Sequence, residues 1–77
     1  MSQVPQYSTL ALCLDEQVLD ICLNRPASAN ALNADMWVEL QQAFEWADAT
    51  PEVRVVILSG EGKHFCAGID LSMFGDI

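Results

Sequence analysis

The stretch that decides the fold is GEGKHFCAGIDLS, residues 60–72, which directly follows the apolar run VRVVILS. It contains three glycines, one histidine, one cysteine and one aspartate, a composition that predicts a turn leading out of a strand. Such a turn can hold a phosphate, a nucleophile, a metal ion or a ligand bound by the backbone. Each use requires different residues at fixed spacings, so the stretch can be tested against each in turn.

The two common phosphate-binding loops fit this stretch poorly. A dinucleotide-binding turn needs glycine at its first, third and sixth positions, and here Gly60 and Gly62 are followed by Phe65 at the sixth. A P-loop needs serine or threonine after its lysine and an earlier glycine, where this chain has His64 and Ile57. The sequence therefore disfavours a nucleotide phosphate at this turn.

His64 and Cys66 could share a face of an extended segment, which raises the question of a nucleophile pair. A catalytic thiol needs a lowered pKa and a third group that orients the base, and the sequence identifies neither. We interpret the two residues as an exposed loop histidine and a small buried cysteine. The three cysteines lack CxxC spacing and one histidine cannot complete a zinc set, so no metal site is expected.

The backbone of Ala67 to Asp70 offers a different kind of site. Asp70 is a good N-cap, so the amides beside it are predicted to lie at the start of a helix, where backbone N–H groups lack intrahelical partners. Gly68 would let the chain turn sharply and let a ligand approach. The Ile69 amide could then donate to an oxygen that acquires negative charge, as half of an oxyanion hole. A loop-to-helix cap with no ligand remains the alternative.

The rest of the chain predicts the element order β, β, α, β, loop, α. Two apolar runs around Asp15-Glu16 predict a β-hairpin, and the Pro26-containing segment after it predicts an ordered loop. From the Asn33 cap, an amphipathic helix is predicted over Ala34 to Ala49, ending before Pro51. Its predicted apolar stripe comprises Met36, Leu40, Ala43 and Ala47, widened by Trp37 and Phe44. The remaining elements are a strand over Val53 to Leu58 covered on both faces, a loop over Ser59 to Phe65 and a helix opening at Asp70.

Composition limits the classes of function. The net charge of −8 with only three basic residues among 77 excludes the clustered lysine and arginine of nucleic-acid or anionic-membrane binding. The chain shows neither a secretory signal nor an apolar run long enough to span a membrane, so a reducing, cytoplasmic setting is expected. A hydrophobic fraction of 52% in so short a chain indicates either very efficient packing or apolar faces meant for another segment. Because DLSMFGDI breaks off shortly after a predicted helix begins, we expect residues 1–77 to be the N-terminal part of a single domain, incomplete at its C-terminal end.

Two motifs resemble the crotonase (enoyl-CoA hydratase/isomerase) superfamily. The first is LNRPASANALN at 23–33, which matches the family's N-R-P followed by N-A-L. The second is PEVRVVILSGEGKHFCAGIDL at 51–71, which matches a strand, a G-x-G turn and F-x-A-G-x-D-L. The resemblance implies an α/β fold: the N-terminal turns of a crotonase-like ββα spiral.

The resemblance also implies a function. Ile69 corresponds to the first backbone donor of the oxyanion hole that binds a coenzyme A thioester carbonyl, and no separate cofactor is needed because coenzyme A is part of the substrate. The residues implied to line the thioester, pantetheine and coenzyme A are Ala27, Ser28, Ala29, Ala67, Gly68, Asp70 and Leu71. Ala27 replaces a lysine of many relatives, which argues against a charge contact with the nucleotide phosphates there.

The expected activity is therefore an enoyl-CoA hydratase (a lyase) or a double-bond isomerase of fatty acid metabolism, assembled as a trimer or hexamer. The family's catalytic carboxylates would lie beyond residue 77, so the 77-residue chain alone is expected to be inactive. A non-catalytic fragment that binds a partner remains the alternative. A third hypothesis, the related serine-peptidase branch, ranks last because no serine-based motif is present.

Overall fold

The chain folds into a three-stranded sheet with one α-helix packed against it. A computed structural model describes residues 4–74, with only the backbone of residues 72 and 74. The elements are β1 (Leu10–Asp15), β2 (Val18–Leu23), a 3-10 turn (Pro26–Ser28), α1 (Ala34–Ala49), β3 (Val55–Gly60) and a 3-10 helix (Leu71–Phe74). This order matches the predicted one, except that the last predicted helix is represented by a four-residue 3-10 helix.

The strands lie in the order β1-β2-β3, with β1 antiparallel and β3 parallel to β2. The antiparallel pair is joined by a two-residue turn at Glu16 and Gln17, one residue later than predicted, because Asp15 still pairs with Val18. Both turn residues have positive φ, 50° and 71°, as in the tight hairpin turns that match strand twist. The parallel pair is joined through α1, since parallel strands need a long crossover.

The core lies between β2 and α1. Alternate residues of β2 point toward the helix, and Leu19, Ile21 and Leu23 are at most 2% exposed. From the helix, Met36 and Ala43 are fully buried and Ala47 nearly so. These residues share one face because they recur at helical spacing.

Helix α1 begins and ends where the sequence predicted. The Asn33 side chain accepts a hydrogen bond from the Met36 amide at 2.9 Å, and the helix ends at Ala49, with Thr50 as its C-cap before Pro51. Trp37 and Phe44 lie beside Leu40 and so widen the apolar stripe as predicted, but they are 56% and 44% exposed and stay outside the buried core. Each follows a buried residue by one position, which turns its side chain about 100° around the helix and away from the sheet.

Strand β3 differs most from its prediction. It runs from Val55 to Gly60, two residues later than expected, and so takes in the start of the predicted loop. Its four large apolar side chains, at positions 55–58, are 37–51% exposed, so the prediction of a strand covered on both faces was wrong for the part of the chain described. Among residues 4–74, the side chains at positions 55–58 lie outside the buried cluster that β2 forms with α1, so neither face of β3 is covered there. Within residues 4–74, no helix is long and apolar enough to cross a membrane.

Candidate functional site

Two loops meet beyond the ends of the parallel strands β2 and β3. We call them the β2 loop (residues 24–32) and the β3 loop (residues 61–70). Parallel neighbouring strands end at the same edge of a sheet, so the loops that follow them lie side by side. The contact begins where the Glu61 amide donates to the Leu23 carbonyl oxygen at 2.8 Å.

A short parallel ladder joins the far ends of the two loops. The Ala67 amide donates to the Ala29 carbonyl oxygen at 2.9 Å. The Leu32 amide then donates to the Gly68 carbonyl oxygen, and the Leu32 carbonyl accepts from the Asp70 amide, both at 2.8 Å. Together these two bonds form a parallel bridge between Leu32 and Ile69.

This ladder directs the Ile69 amide outward. In a parallel bridge, Leu32 bonds to the residues on either side of its partner, so the N–H and C=O of Ile69 itself point away from the β2 loop. Among residues 4–74, the Ile69 amide donates no backbone hydrogen bond outside regular elements and none to a side chain. The Ile69 side chain is 54% exposed. The amide is therefore an unused donor at an open surface.

Gly68 makes this geometry possible. Its φ of +106° lies in a region that residues with a side chain rarely adopt, and a Cβ placed there would meet nothing within 4 Å. Glycine is thus required by backbone conformation rather than by crowding. The positive φ fits the choice of glycine at position 68, but the chain bends at residues 61–63 and 65 rather than at Gly68, so the sharp turn predicted there is not found. Gly68 itself is exposed.

Asp70 forms an ion pair that was not predicted. It lies just before the 3-10 helix rather than at the start of an α-helix, and its carboxylate is 3.2 Å from Nη1 of Arg25. The same guanidinium donates to the Ala31 carbonyl oxygen, and more distantly to Oγ of Ser28 at 3.4 Å. Arg25 therefore ties the start of the β2 loop to the end of the β3 loop. The available signal was that Arg25 is the only basic residue in the β2 loop.

The predicted substrate-binding residues fall into two neighbouring groups. Ala27 and Ser28 are exposed on the 3-10 turn, and Ala29 follows them with left-handed φ of 51°. In the β3 loop, Ala67 and Gly68 are exposed, Asp70 is half-buried, and Leu71 just beyond them is 83% exposed. The ladder brings the two groups together through the bond between Ala67 and Ala29.

His64 and Cys66 do not form a nucleophile pair in the contacts that the structure gives. Cys66 Sγ instead accepts a hydrogen bond from the Gly68 amide at 3.4 Å, and the His64 side chain is exposed. Within the described chain, no group of three or more histidine, cysteine or acidic side chains converges in a way that could hold a metal ion. Asn30, named in the sequence only as part of a motif, is fully buried between the loops.

Comparison with known proteins gives a consistent result. Residues 14–76 match the family described as enoyl-CoA hydratase/isomerase. A peroxisomal Delta(3,5)-Delta(2,4)-dienoyl-CoA isomerase of Arabidopsis thaliana is 43% identical over 74 residues, covering 92% of this chain and 27% of the relative. A probable enoyl-CoA hydratase of Mycobacterium tuberculosis is 40% identical over 70 residues, covering 91% of this chain and 27% of the relative. The chain thus spans about a quarter of the length of these curated relatives.

Solved structures agree. An enoyl-CoA hydratase from Mycobacterium tuberculosis superposes with a TM-score of 0.84 at 41% identity, covering 91% of this chain and 32% of that one. An enoyl-CoA hydratase/isomerase from Xanthobacter autotrophicus also gives a TM-score of 0.84, at 37% identity, covering 88% of this chain and 25% of that one. The predicted α/β crotonase-like fold is confirmed. On its sequence match and its fold, the chain belongs to the enoyl-CoA hydratase/isomerase family.

Proposed function

We propose that this chain supplies one half of an oxyanion hole in an enzyme that processes acyl-CoA thioesters. The observation that carries the proposal is the outward-facing Ile69 amide, left unused by the bridge with Leu32. A thioester carbonyl that accepts this hydrogen bond would lie over the open surface at Gly68. Ala27, Ser28, Ala29, Ala67, Asp70 and Leu71 then surround the thioester and the coenzyme A chain.

The chemistry explains why one backbone donor serves both candidate reactions. When water adds to the β-carbon of an enoyl-CoA, negative charge develops on the thioester carbonyl oxygen. When a proton is removed to shift a double bond, negative charge develops on the same oxygen. Both routes pass through an enolate, which a fixed N–H donor stabilises more than the neutral carbonyl. The names of the relatives cover both reactions, so hydration and isomerisation are both retained.

The proton-transfer groups are not assigned to this chain. Asp70 is paired with Arg25, and Glu61 is exposed to solvent in the β3 loop, so neither carboxylate is placed to act as an acid or base. We therefore assign to residues 4–74 the binding and polarisation of the carbonyl. Assembly as a trimer or hexamer and a cytoplasmic setting stay predictions.

The test removes the donor without removing the fold. In the longest natural protein that contains this chain, Ile69→Pro eliminates the amide hydrogen, which neither bond of Leu32 to Gly68 and Asp70 uses. Turnover of crotonyl-CoA, or of a 3,5-dienoyl-CoA, should fall by about 10²–10³-fold. Ile69→Val keeps the amide and is the matched control, expected to stay near wild type.

Two outcomes would count against the proposal. Ile69→Pro protein that is folded and still as active as Ile69→Val would show that this amide is not the donor. A wild-type protein that turns over neither substrate would favour the alternative of a non-catalytic binding fragment.

A further inference from the structure

Asn30 is the most completely bonded side chain between the two loops. It is 0% exposed, and its Oδ1 accepts a hydrogen bond from the Arg25 amide at 2.8 Å. Its Nδ2 donates both hydrogens into the β3 loop, to the Glu61 carbonyl oxygen at 2.8 Å and the His64 carbonyl oxygen at 2.7 Å. One buried amide therefore holds both loops at once.

Asparagine suits this position for two reasons. Its backbone φ is +57°, and asparagine adopts the left-handed region more readily than other residues with a side chain. Its amide also offers one acceptor and two donors, which matches the one N–H and two carbonyls that face it. Aspartate has the same shape, but its carboxylate would place an oxygen against both carbonyl oxygens.

The bonds of Asn30 lie on the same pair of segments as the Ile69 amide. Ala29, the preceding residue, accepts from Ala67, and Leu32, two residues later, forms the bridge with Ile69. Asn30 thus holds residues 61 and 64 at the start of the β3 loop, while its neighbours hold residues 67 to 70. A shift of the β3 loop relative to Asn30 would change where the Ile69 N–H points.

We propose that Asn30 is a positioning residue, which sets the location and direction of the Ile69 amide by fixing the β3 loop against the β2 loop. This inference rests on the proposed function, because it concerns the same oxyanion donor. The Asn30 side chain is fully buried between the two loops, so it acts through Ile69 and not by contact with the substrate.

The test compares Asn30→Asp with Asn33→Asp in the longest natural protein that contains this chain. Both variants add one negative charge to neighbouring positions, but the carboxylate introduced at position 33 would keep the acceptor that caps α1. We expect the kcat of Asn30→Asp on crotonyl-CoA to fall by about 10²-fold, the usual effect of a misplacement near 1 Å. KM should change little, and Asn33→Asp should stay near wild type in both constants.

A spectroscopic measurement separates positioning from stability. Butanoyl-CoA, isotopically labelled at its thioester carbonyl, is bound to each folded variant and its carbonyl stretching frequency is recorded by infrared difference spectroscopy. The wild-type protein and Asn33→Asp should lower this frequency, because the Ile69 N–H polarises the carbonyl. Asn30→Asp should lower it less. Asn30→Gly permits the left-handed backbone but removes all three side-chain hydrogen bonds, so it should also lower the carbonyl frequency less than wild type does. This variant provides the test if Asn30→Asp is insoluble.

The outcomes distinguish this inference from the proposed function. If wild-type protein is active and Asn30→Asp or Asn30→Gly matches its kcat and carbonyl frequency while melting at a lower temperature, Asn30 is only structural and the inference fails alone. If neither variant folds, Asn30 is required for folding and the positioning role is likewise rejected. If wild-type protein neither turns over enoyl-CoA nor lowers the frequency, the proposed function fails and this inference fails with it.

Discussion

Strands β2 and β3 are neighbours of similar apolar composition, yet they are buried to very different extents. Leu19, Ile21 and Leu23 of β2 are at most 2% exposed, whereas Ile57 and Leu58 of β3 are 50% and 40% exposed. The two strands pair in continuous parallel register, so the difference is not one of local order. It arises because alternate side chains of β2 belong to the buried cluster with α1, whereas those at positions 55–58 of β3 lie outside it in the part of the chain described. Hydrophobic composition identified both strands, but position in the sheet decides how much each contributes to stability.

The largest expected effect tests this difference directly. In the 77-residue chain, Ile21→Ala should lower the free energy of unfolding by about 3–4 kcal/mol, because it leaves a cavity at a fully buried position. Ile57→Ala deletes the same atoms from a half-exposed side chain and should cost about 1 kcal/mol. Urea denaturation monitored by circular dichroism measures both. Equal losses would mean that β3 is covered in solution and would remove the contrast between the strands.

The sequence predicted elements best where the deciding interactions are local. The bounds of α1 follow from the Asn33 cap and from Pro51, both within one turn of the helix ends, and these predictions are confirmed. The burial of β3 could not be predicted in this way, because it depends on which elements pack over its two faces. The apolar run was consistent with a covered strand and with an edge strand alike.

The candidate site divides along the same line. The glycine at position 68 is a local signal, and the structure gives it the positive φ that glycine favours. The ion pair of Arg25 with Asp70 and the bonds of Asn30 with residues 61 and 64 join positions 31 to 45 residues apart. Spacing within one motif carries no information about contacts between two motifs, so these contacts could be identified only from the three-dimensional structure.

The second prediction compares two glycines at the ends of the β3 region. A Cβ on Gly60 would lie 2.4 Å from the Phe65 carbonyl oxygen and 2.8 Å from its Cα, both backbone atoms. Gly60→Ala must therefore displace the β3 loop, and we expect the free energy of unfolding to fall by about 2–3 kcal/mol. Gly68→Ala meets no atom within 4 Å and should cost about 1–2 kcal/mol, from its left-handed φ alone. The same urea denaturation measures both variants.

The difference between Gly60→Ala and Gly68→Ala measures how rigidly the exposed β3 loop is held. A loss on Gly60→Ala well above that on Gly68→Ala would show that the β3 loop is held in place although its side chains are exposed. If Gly60→Ala were nearly neutral, the loop would be free to move, and the fixed direction of the Ile69 amide would lose its support.

The last comparison concerns the helix that covers β2, where the partly buried Glu39 of α1 holds the segment before β1. Its carboxylate accepts hydrogen bonds from the Thr9 amide at 2.8 Å, the Thr9 hydroxyl at 2.7 Å and the Ser8 hydroxyl at 2.8 Å. Burial by itself raises the pKa of Glu39, but the hydrogen bonds from Thr9 and Ser8 outweigh it and hold the pKa below its usual value of 4.5. Burial, together with the negative charge of Glu39, raises the pKa of nearby Tyr7.

A lowered pKa means that the folded state binds the proton of Glu39 less tightly than the unfolded state does. The stabilisation is therefore complete above the unfolded pKa of 4.5 and is lost as the pH falls through the lower folded value.

At pH 7, Glu39→Gln should lower the free energy of unfolding by about 1–2 kcal/mol, since it replaces charged hydrogen bonds with neutral ones. Urea denaturation across acidic pH should show this difference from wild type shrinking below pH 4.5. Glu45→Gln, an exposed site on the same helix, is the control and should cost little at any pH. If the difference in free energy of unfolding between wild type and Glu39→Gln stayed constant on acidification, the negative charge of Glu39 would make no contribution to stability.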